Sequence, residues 1–395
     1  MRFSPFFAVT LLQVFLAQGL KASPSSVIVA KDAMQAQVAL DQDGKVYVVF
    51  IQKGNICVST SADKGMTFGE PVVAIDAQGH AAGGMQRGPR IGVDAKKTIT
   101  VTAWIVLDPA EREHKYPTGE LCLVSSRDGG KTWSKPLQVN DVPKKAPEAL
   151  HWMAVEPNGT VHLAWLDRRS RPGDGQDIYY AKVSEGKVGK NVKIASEVCE
   201  CCAPGLGVDA MGNPLIAYRE GGTKPSREIF AVRGSEKGES FGKPIQINRE
   251  STNISTCPMS APAVAVSPDG RKVAIAWMDE RVTQGDQDVY WAVTYGPKFS
   301  RDAIISDITD GSQNHPALAV DGVGKFWAAW EDKRSGEQVI YARSSLNDAK
   351  DEKVSSEADG KVSLPSIHAA GKLVGVVYEA SKDGEKQVMF RLVGN

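Results

Sequence analysis

Residues 38–44 read VALDQDG, and the phrase returns as IGVDAKK at 91–97, MAVEPNG at 153–159, LGVDAMG at 206–212, VAVSPDG at 264–270 and LAVDGVG at 318–324. Its marker position is Asp41, Asp94, Glu156, Asp209, Ser267 and Asp321, with spacings of 53, 62, 53, 58 and 54 residues. A second apolar run follows soon after, as in VYVVF, VHLAW, VAIAW and FWAAW. A period of this length, built from short alternating strands, describes stacked supersecondary units that cannot bury their apolar faces alone. The repeat governs the fold, and function resides in what is not repeated.

Each unit reads as four strands. In the sixth they are PALAV, KFWAAW, QVIYARS and a shorter fourth, with Gly and Asp at the turns of an antiparallel meander. Six full units run from about Gln37 to Ser356. A seventh, with SIHAAG, LVGVVYEA and KQVMFRLV, lacks a fourth strand, and SVIVA at 26–30 supplies a spare one at the other end of the chain. Pairing the two closes a ring with no open sheet edge. The expectation is an all-β fold, a seven-bladed β-propeller of four-stranded antiparallel blades closed by an N-terminal strand. A six-bladed ring with one degenerate unit is the competing count.

Lys plus Arg and Asp plus Glu are both 47, so the chain lacks the electrostatic footprint of a nucleic-acid binder. Arg2, the apolar stretch FFAVTLLQVFLAQGL and the following LKAS read as a secretory signal peptide cut after Gly19 or Ala22. Residues 1–22 are thus expected to be removed, leaving 23–395 as one propeller domain. It is expected to be periplasmic or secreted, monomeric and without a membrane span, in a compartment that permits disulfides.

The hairpins between third and fourth strands carry a second signature. SRDGGKTW (126–133) matches Ser-x-Asp-x-Gly-x-Thr-Trp in full, SADKGMTF (61–68) has Phe for Trp, and GSEKGESF (234–241) is a weakened copy. The Asp is suited to accept N–H bonds inside the turn, the Gly to take a positive φ, and the aromatic to pack onto the blade. With these motifs, nearly the whole mature chain resembles the sialidase-like, Asp-box (BNR-repeat) propellers. The resemblance implies that these boxes are structural and lie on the face away from the ligand. It does not imply an activity, since function on such a fold depends on the site.

Four of the six cysteines are crowded: Cys199, Cys201 and Cys202 precede the first strand of unit four, and Cys257 precedes that of unit five. Cys199 and Cys257 lie ten residues before their unit markers, and Cys201 and Met259 eight before theirs. Equivalent slots on adjacent blades are neighbours, so these sulfurs are expected to approach one another at the mouth of the channel. His315 and His151 occupy the same zone in units six and three, and Met85 does so in unit two. Cys199, Cys201, Cys202, Cys257, Met259 and His315 form a soft-ligand set that suits copper(I) first and zinc next. The alternative is a structural disulfide joining Cys199 or Cys202 to Cys257. The run Cys-x-Cys-Cys, with Cys-Pro one blade later, also resembles a pattern in exported bacterial members of the propeller family. Cys57 and Cys122, on matching third strands, read as small buried residues.

WLDRR, WMDER and WEDKR end second strands in three units. Asp167, Arg169, Asp279 and Arg281 are candidates for a carboxylate- or sugar-binding rim, or for Asp–Arg pairs bracing each turn. The resemblance to sialidases implies three clamping Arg, an acid/base Asp and a Tyr activated by a Glu. Arg87, in an Arg-x-Pro element, fits one clamp position; Arg219 and Arg281 are further candidates, and Tyr378-Glu379 is a candidate pair. The leading expectation is a binding protein holding a soft metal, copper above all, at a Cys/Met/His cluster. A carbohydrate-active enzyme and a protein-interaction scaffold with all thiols bridged are the alternatives.

Overall fold

Seven antiparallel sheets are arranged as the blades of a β-propeller. The computed structural model describes residues 26–394, apart from 114–115, 145–149, 171–174, 223–226, 255–258, 284–285, 296–297 and 346–348. The expected signal peptide lies outside the described residues. Beyond strands, the described residues include two single turns of 3₁₀ helix, Glu236–Gly238 and Glu357–Asp359. No helix among the described residues is long and apolar enough to cross a membrane.

Blade 4 shows the pattern. Its inner strand Gly205–Val208 pairs with Pro214–Arg219, which pairs with Ile229–Ser235, and the short segments Ser240–Phe241 and Ile245–Gln246 form the rim. In blade 7 the sequence strands Lys361–Ala370, Leu373–Lys382 and Glu385–Val393 are completed by Val27–Lys31, which pairs antiparallel with Glu385–Val393. The ring closes as the spare strand predicts, and the count is seven.

The apolar core lies between blades. Separate clusters join blades 1 and 2, 2 and 3, 3 and 4, 4 and 5, 5 and 6, 6 and 7, and 7 back to 1. One bulky aromatic of each second strand anchors this layer: Phe50, Trp104, Trp165, Tyr218, Trp277, Trp330 and Tyr378, all buried. Each sheet face is thus covered only by its neighbour, which explains why the alternation of the strands needed a repeat to make sense.

The repeat marker is a turn lock. Asp41, Asp94, Asp209 and Asp321 each accept backbone N–H bonds from residues two and four positions later. The Ser126–Trp133 and Ser61–Phe68 hairpins share one bonding scheme. Asp128 Oδ1 accepts from Thr132 N at 3.0 Å and Oδ2 from Thr132 Oγ1 at 2.6 Å; Asp63 does the same with Thr67 at 2.9 and 2.6 Å. The closing aromatics pack on the preceding blade, Phe68 on Phe390 and Phe241 on Tyr180. A side chain at Gly65, whose φ is 86°, would meet the Phe390 ring at 2.0 Å, so this contact requires glycine.

The opposite face bears the second-to-third connections and the approaches to the inner strands. There Gln35, Gln86, Met259, His315 and Leu364 all have positive φ, between 47° and 66°. In blades 1, 6 and 7 the strained residue sits inside a bulge of the inner strand. Bulges and non-glycine left-handed residues are features that a fold keeps where it must re-aim side chains.

Candidate functional site

At the centre of that face the mouth of the channel is spanned by side chains. Gln86 Oε1 accepts a bond from Ala261 N at 3.0 Å, linking blade 2 to blade 5. Gln35 Oε1 accepts from Gly88 N at 3.0 Å. The cavity among Gln35, Gln86, Arg90, Trp152, Pro262 and Pro316 measures about 30 Å³, room for about one or two water molecules and not for a sugar ring. A second cavity of about 240 Å³ lies among the inner strands.

Arg90 is the buried cation of this mouth, and no motif in the sequence singles it out. Its guanidinium donates to the carbonyls of Gln86, Gly88, Pro89 and His151 and lies 4.7 Å from the Trp152 ring centroid. Burial pulls its pKa down to about 9, since a desolvated cation is penalised. Arg87, the residue expected from the Arg-x-Pro element, is half-buried beside it and donates to the Gly84 carbonyl. His151 is buried against Thr102, with Nε2 3.1 Å from Oγ1. Met85 is exposed.

The Asp–Arg motifs form a repeated clamp. Trp165, Trp277 and Trp330 donate from Nε1 to Asp167, Asp279 and Asp332 at 3.0, 3.3 and 2.9 Å. The same carboxylates hold Arg169, Arg281 and Arg334, whose guanidinium carbons stand 4.1, 4.4 and 4.3 Å over the rings of Tyr179, Tyr290 and Tyr341. Asp141, Asp302 and Asp351 take up the remaining charge of the three Arg. Asp167, Asp279 and Asp332 are fully buried. Arg169 and Arg281 are therefore each engaged by two carboxylates and a Tyr ring, contacts that brace their blades. Arg219 is likewise spent on the carbonyls of Arg227 and Met278. Tyr378 and Glu379 are successive strand residues and face apart: Tyr378 bonds Ser26 and Asp359, whereas Glu379 bonds Gln35.

The cysteines of blade 4 do converge. Cys199 Sγ lies 2.8 Å from Cys202 Sγ and 3.5 Å from Cys201 Sγ, and all three sulfurs fall within 4.8 Å of one another. The chain reaches this point after the rim strand Val192–Val198, with Val198 bridged to Glu220 and Cys199 N donating to Arg219 O at 3.0 Å. That contact is at the end of Pro214–Arg219 far from its Asp209 turn, so the cluster lies on the face opposite the Asp-bearing hairpins. Cys199 and Cys202 are buried and Cys201 is half-buried. A hydrogen bond from Cys202 draws the Cys199 pKa below that of an ordinary thiol against the pull of burial. Burial, then the Cys199 sulfur itself, pushes Cys202 up.

Of the expected six residues, Cys199, Cys201 and Cys202 converge among the described residues and His315 is not in their group. His315 Nε2 is instead 3.3 Å from the Met259 backbone carbonyl oxygen. His315 Nδ1 is 2.9 Å from Glu331 Oε2, close enough for an ion pair although angled poorly for a hydrogen bond. Burial opposes its protonation, but Glu331 more than offsets this and raises its pKa. Cys257 lies outside the described residues. Cys199 and Cys202, the expected partners of Cys257 in a bridge, are free thiols, as are Cys57 and Cys122. Burial raises the pKa of both Cys57 and Cys122, the latter to about 11, in keeping with inert packing residues.

A cleft of about 500 Å³ reaches Cys199 and is lined also by Glu197, Glu200, Tyr218, Glu220 and Phe230. Tyr218 and Phe230 stack at 5.9 Å to form its apolar wall.

No family model matches the chain, and no curated protein matches it by sequence. Among solved structures it is similar to an ulvan lyase, a polysaccharide lyase, with a TM-score of 0.60 at 12% identity over 93% of this chain and 96% of that one. It is similar to a Hadza microbial sialidase with a TM-score of 0.52 at 13% identity, covering 82% and 66% of the two chains. An α-L-arabinofuranosidase from Fusarium graminearum gives 0.51 at 13% identity, covering 84% and 98%. These likenesses define a sialidase-like propeller fold; at such identities they define no more.

Proposed function

We propose that this propeller is a binding protein whose working site is the sulfur cluster of blade 4, taking a soft, thiophilic metal ion of the copper(I) class. The observation that carries the reading is the convergence of Cys199, Cys201 and Cys202 within 4.8 Å. A metal–thiolate bond is about 2.3 Å, so three sulfurs with this spread are within reach of one ion. Copper(I) is satisfied by two or three soft donors, and no hard oxygen ligand is needed. Cys199 and Cys202 stand closer than two ligands of one metal do and must part by about an ångström on binding. Cys201 is the one described cysteine that is not a free thiol, so binding by all three follows reduction. His315 and Met259 have no part in this reading.

The test is a titration of the reduced protein with copper(I) against a chromophoric competitor. One tightly held equivalent is expected, and it is lost in Cys201→Ser/Cys202→Ser. Unchanged affinity in that variant overturns the assignment.

A further inference from the structure

Cys199 stands between the other two sulfurs. Cys202 lies behind it at 2.8 Å, within an ångström of the ~2.05 Å of a disulfide. Cys201 lies in front at 3.5 Å and is the most exposed of the three. The middle sulfur therefore touches a buried free thiol on one side and, on the other, the one described cysteine that is not a free thiol. Two residues separate Cys199 from Cys202, so both ends of a new bridge already sit on one short loop held by Cys199 N on Arg219 O.

We infer that Cys199 and Cys202 are a redox-active dithiol that exchanges with the disulfide at Cys201, making the cluster a thiol–disulfide relay. Exchange proceeds by attack of a thiolate on a disulfide sulfur. Cys199 attacks Cys201 Sγ; the Cys199–Cys201 bond forms as the bond from Cys201 to its present partner breaks. The partner leaves as a thiolate and takes up the proton that Cys199 gave to solvent. Cys202 then attacks Cys199 Sγ, forming Cys199–Cys202, and Cys201 leaves as a thiolate that takes up the proton lost by Cys202. Two electrons pass from the Cys199/Cys202 dithiol to Cys201 and its former partner. One disulfide is present before and after, and no outside oxidant or reductant enters. The cleft beside Cys199 supplies room for the small sulfur movements.

The relay stands apart from metal binding and is tested without it. Full-length protein is kept at pH 8 with a chelator, quenched with acid, blocked with a maleimide and cut after Glu200 by a glutamyl endopeptidase. Cleavage there separates Cys199 from Cys201 and Cys202, and tandem fragmentation between Cys201 and Cys202 then assigns every bridge. The expected result is a Cys199–Cys202 bridge accumulating beside the Cys201 bridge, while the number of free thiols stays constant. In Cys202→Ser the exchange stops at Cys199–Cys201, and in Cys199→Ser only the original bridge is found. The wild-type map alone decides the matter if a variant fails to fold: a Cys201 bridge that persists unchanged for a day overturns the relay. A failed copper titration with a positive map rejects the metal reading only, and the reverse result rejects the relay only.

Discussion

Glu379 accepts two hydrogen bonds from Gln35, one from its backbone N at 2.7 Å and one from Nε2 at 3.0 Å, across the seam where blade 7 meets blade 1. Gln35 has a φ of 59°, and its Oε1 accepts a hydrogen bond from Gly88 N in blade 2. One strained residue thus ties three successive blades at the mouth of the channel.

Removing that acceptor orphans a buried N–H. Glu379→Ala is expected to cost about 1–3 kcal/mol, and Glu379→Gln, which keeps an acceptor, less than half of that. Urea midpoints read both values; equal midpoints for wild type and Glu379→Ala reject the role of the seam.

The closing strand makes a second demand. Deleting residues 1–31 removes Val27–Lys31 from its partner Glu385–Val393 and leaves an unpaired edge. The expected outcome is concentration-dependent association or loss of soluble protein, seen by size exclusion. A stable monomer across a wide concentration range contradicts closure by this strand.

Arg281 tests bracing against binding. It joins Asp279 to Asp302 and covers Tyr290. Arg281→Ala leaves a fully buried carboxylate unpaired and is expected to cost about 3–5 kcal/mol. Lysine is not expected to restore it, because a point charge neither forks nor stacks as guanidinium does. Denaturation shows the loss; an unchanged midpoint contradicts the structural role.

Asp288 gives a pH signature. Burial, then the neighbouring Asp286, Asp279 and Asp332, pushes its carboxyl up to about 6, and its Oδ1 has no hydrogen-bond partner among the described residues. The folded state then holds this proton more tightly than the unfolded chain, whose Asp titrates near ~3.9. Its contribution is best below about pH 4, falls as pH rises to about 6, and stays low above that. Asp288→Asn is expected to gain up to about 2 kcal/mol at pH 7.5 and nothing at pH 4. A gain of equal size at both pH values contradicts the assignment.

Much of the architecture was readable from particular residues. The Asp boxes announced turn locks because an Asp-initiated turn is a local device, complete within five residues. The missing fourth strand of the last unit announced ring closure because an edge must be covered. Trp165-x-Asp167-x-Arg169 was open to two readings, and only the packed structure shows the 4.1 Å stack on Tyr179 and the link to Asp141 that a brace requires. Gln86, Arg90 and Glu331 carried no motif at all. Their roles come from tertiary bonds to which spacing is blind: Gln86 to Ala261 of blade 5, Arg90 to the His151 carbonyl of blade 3, Glu331 to Leu364 N of blade 7.

What the chain by itself determined was the period, the strand alternation and the ring, since these depend on local hydrogen bonding and on apolar faces that any neighbour of the same kind can cover. The placement of chemistry was decided in three dimensions. Equivalent slots put Cys199, Cys201, Met259 and His315 in one zone, yet the sulfurs of blade 4 gathered at a cleft that reaches Cys199 while His315 turned to Glu331 and the Met259 carbonyl. Rotational equivalence fixes positions to within a blade, whereas bonding between side chains is decided within an ångström, by left-handed residues and bulges that only the packed ring can hold in place.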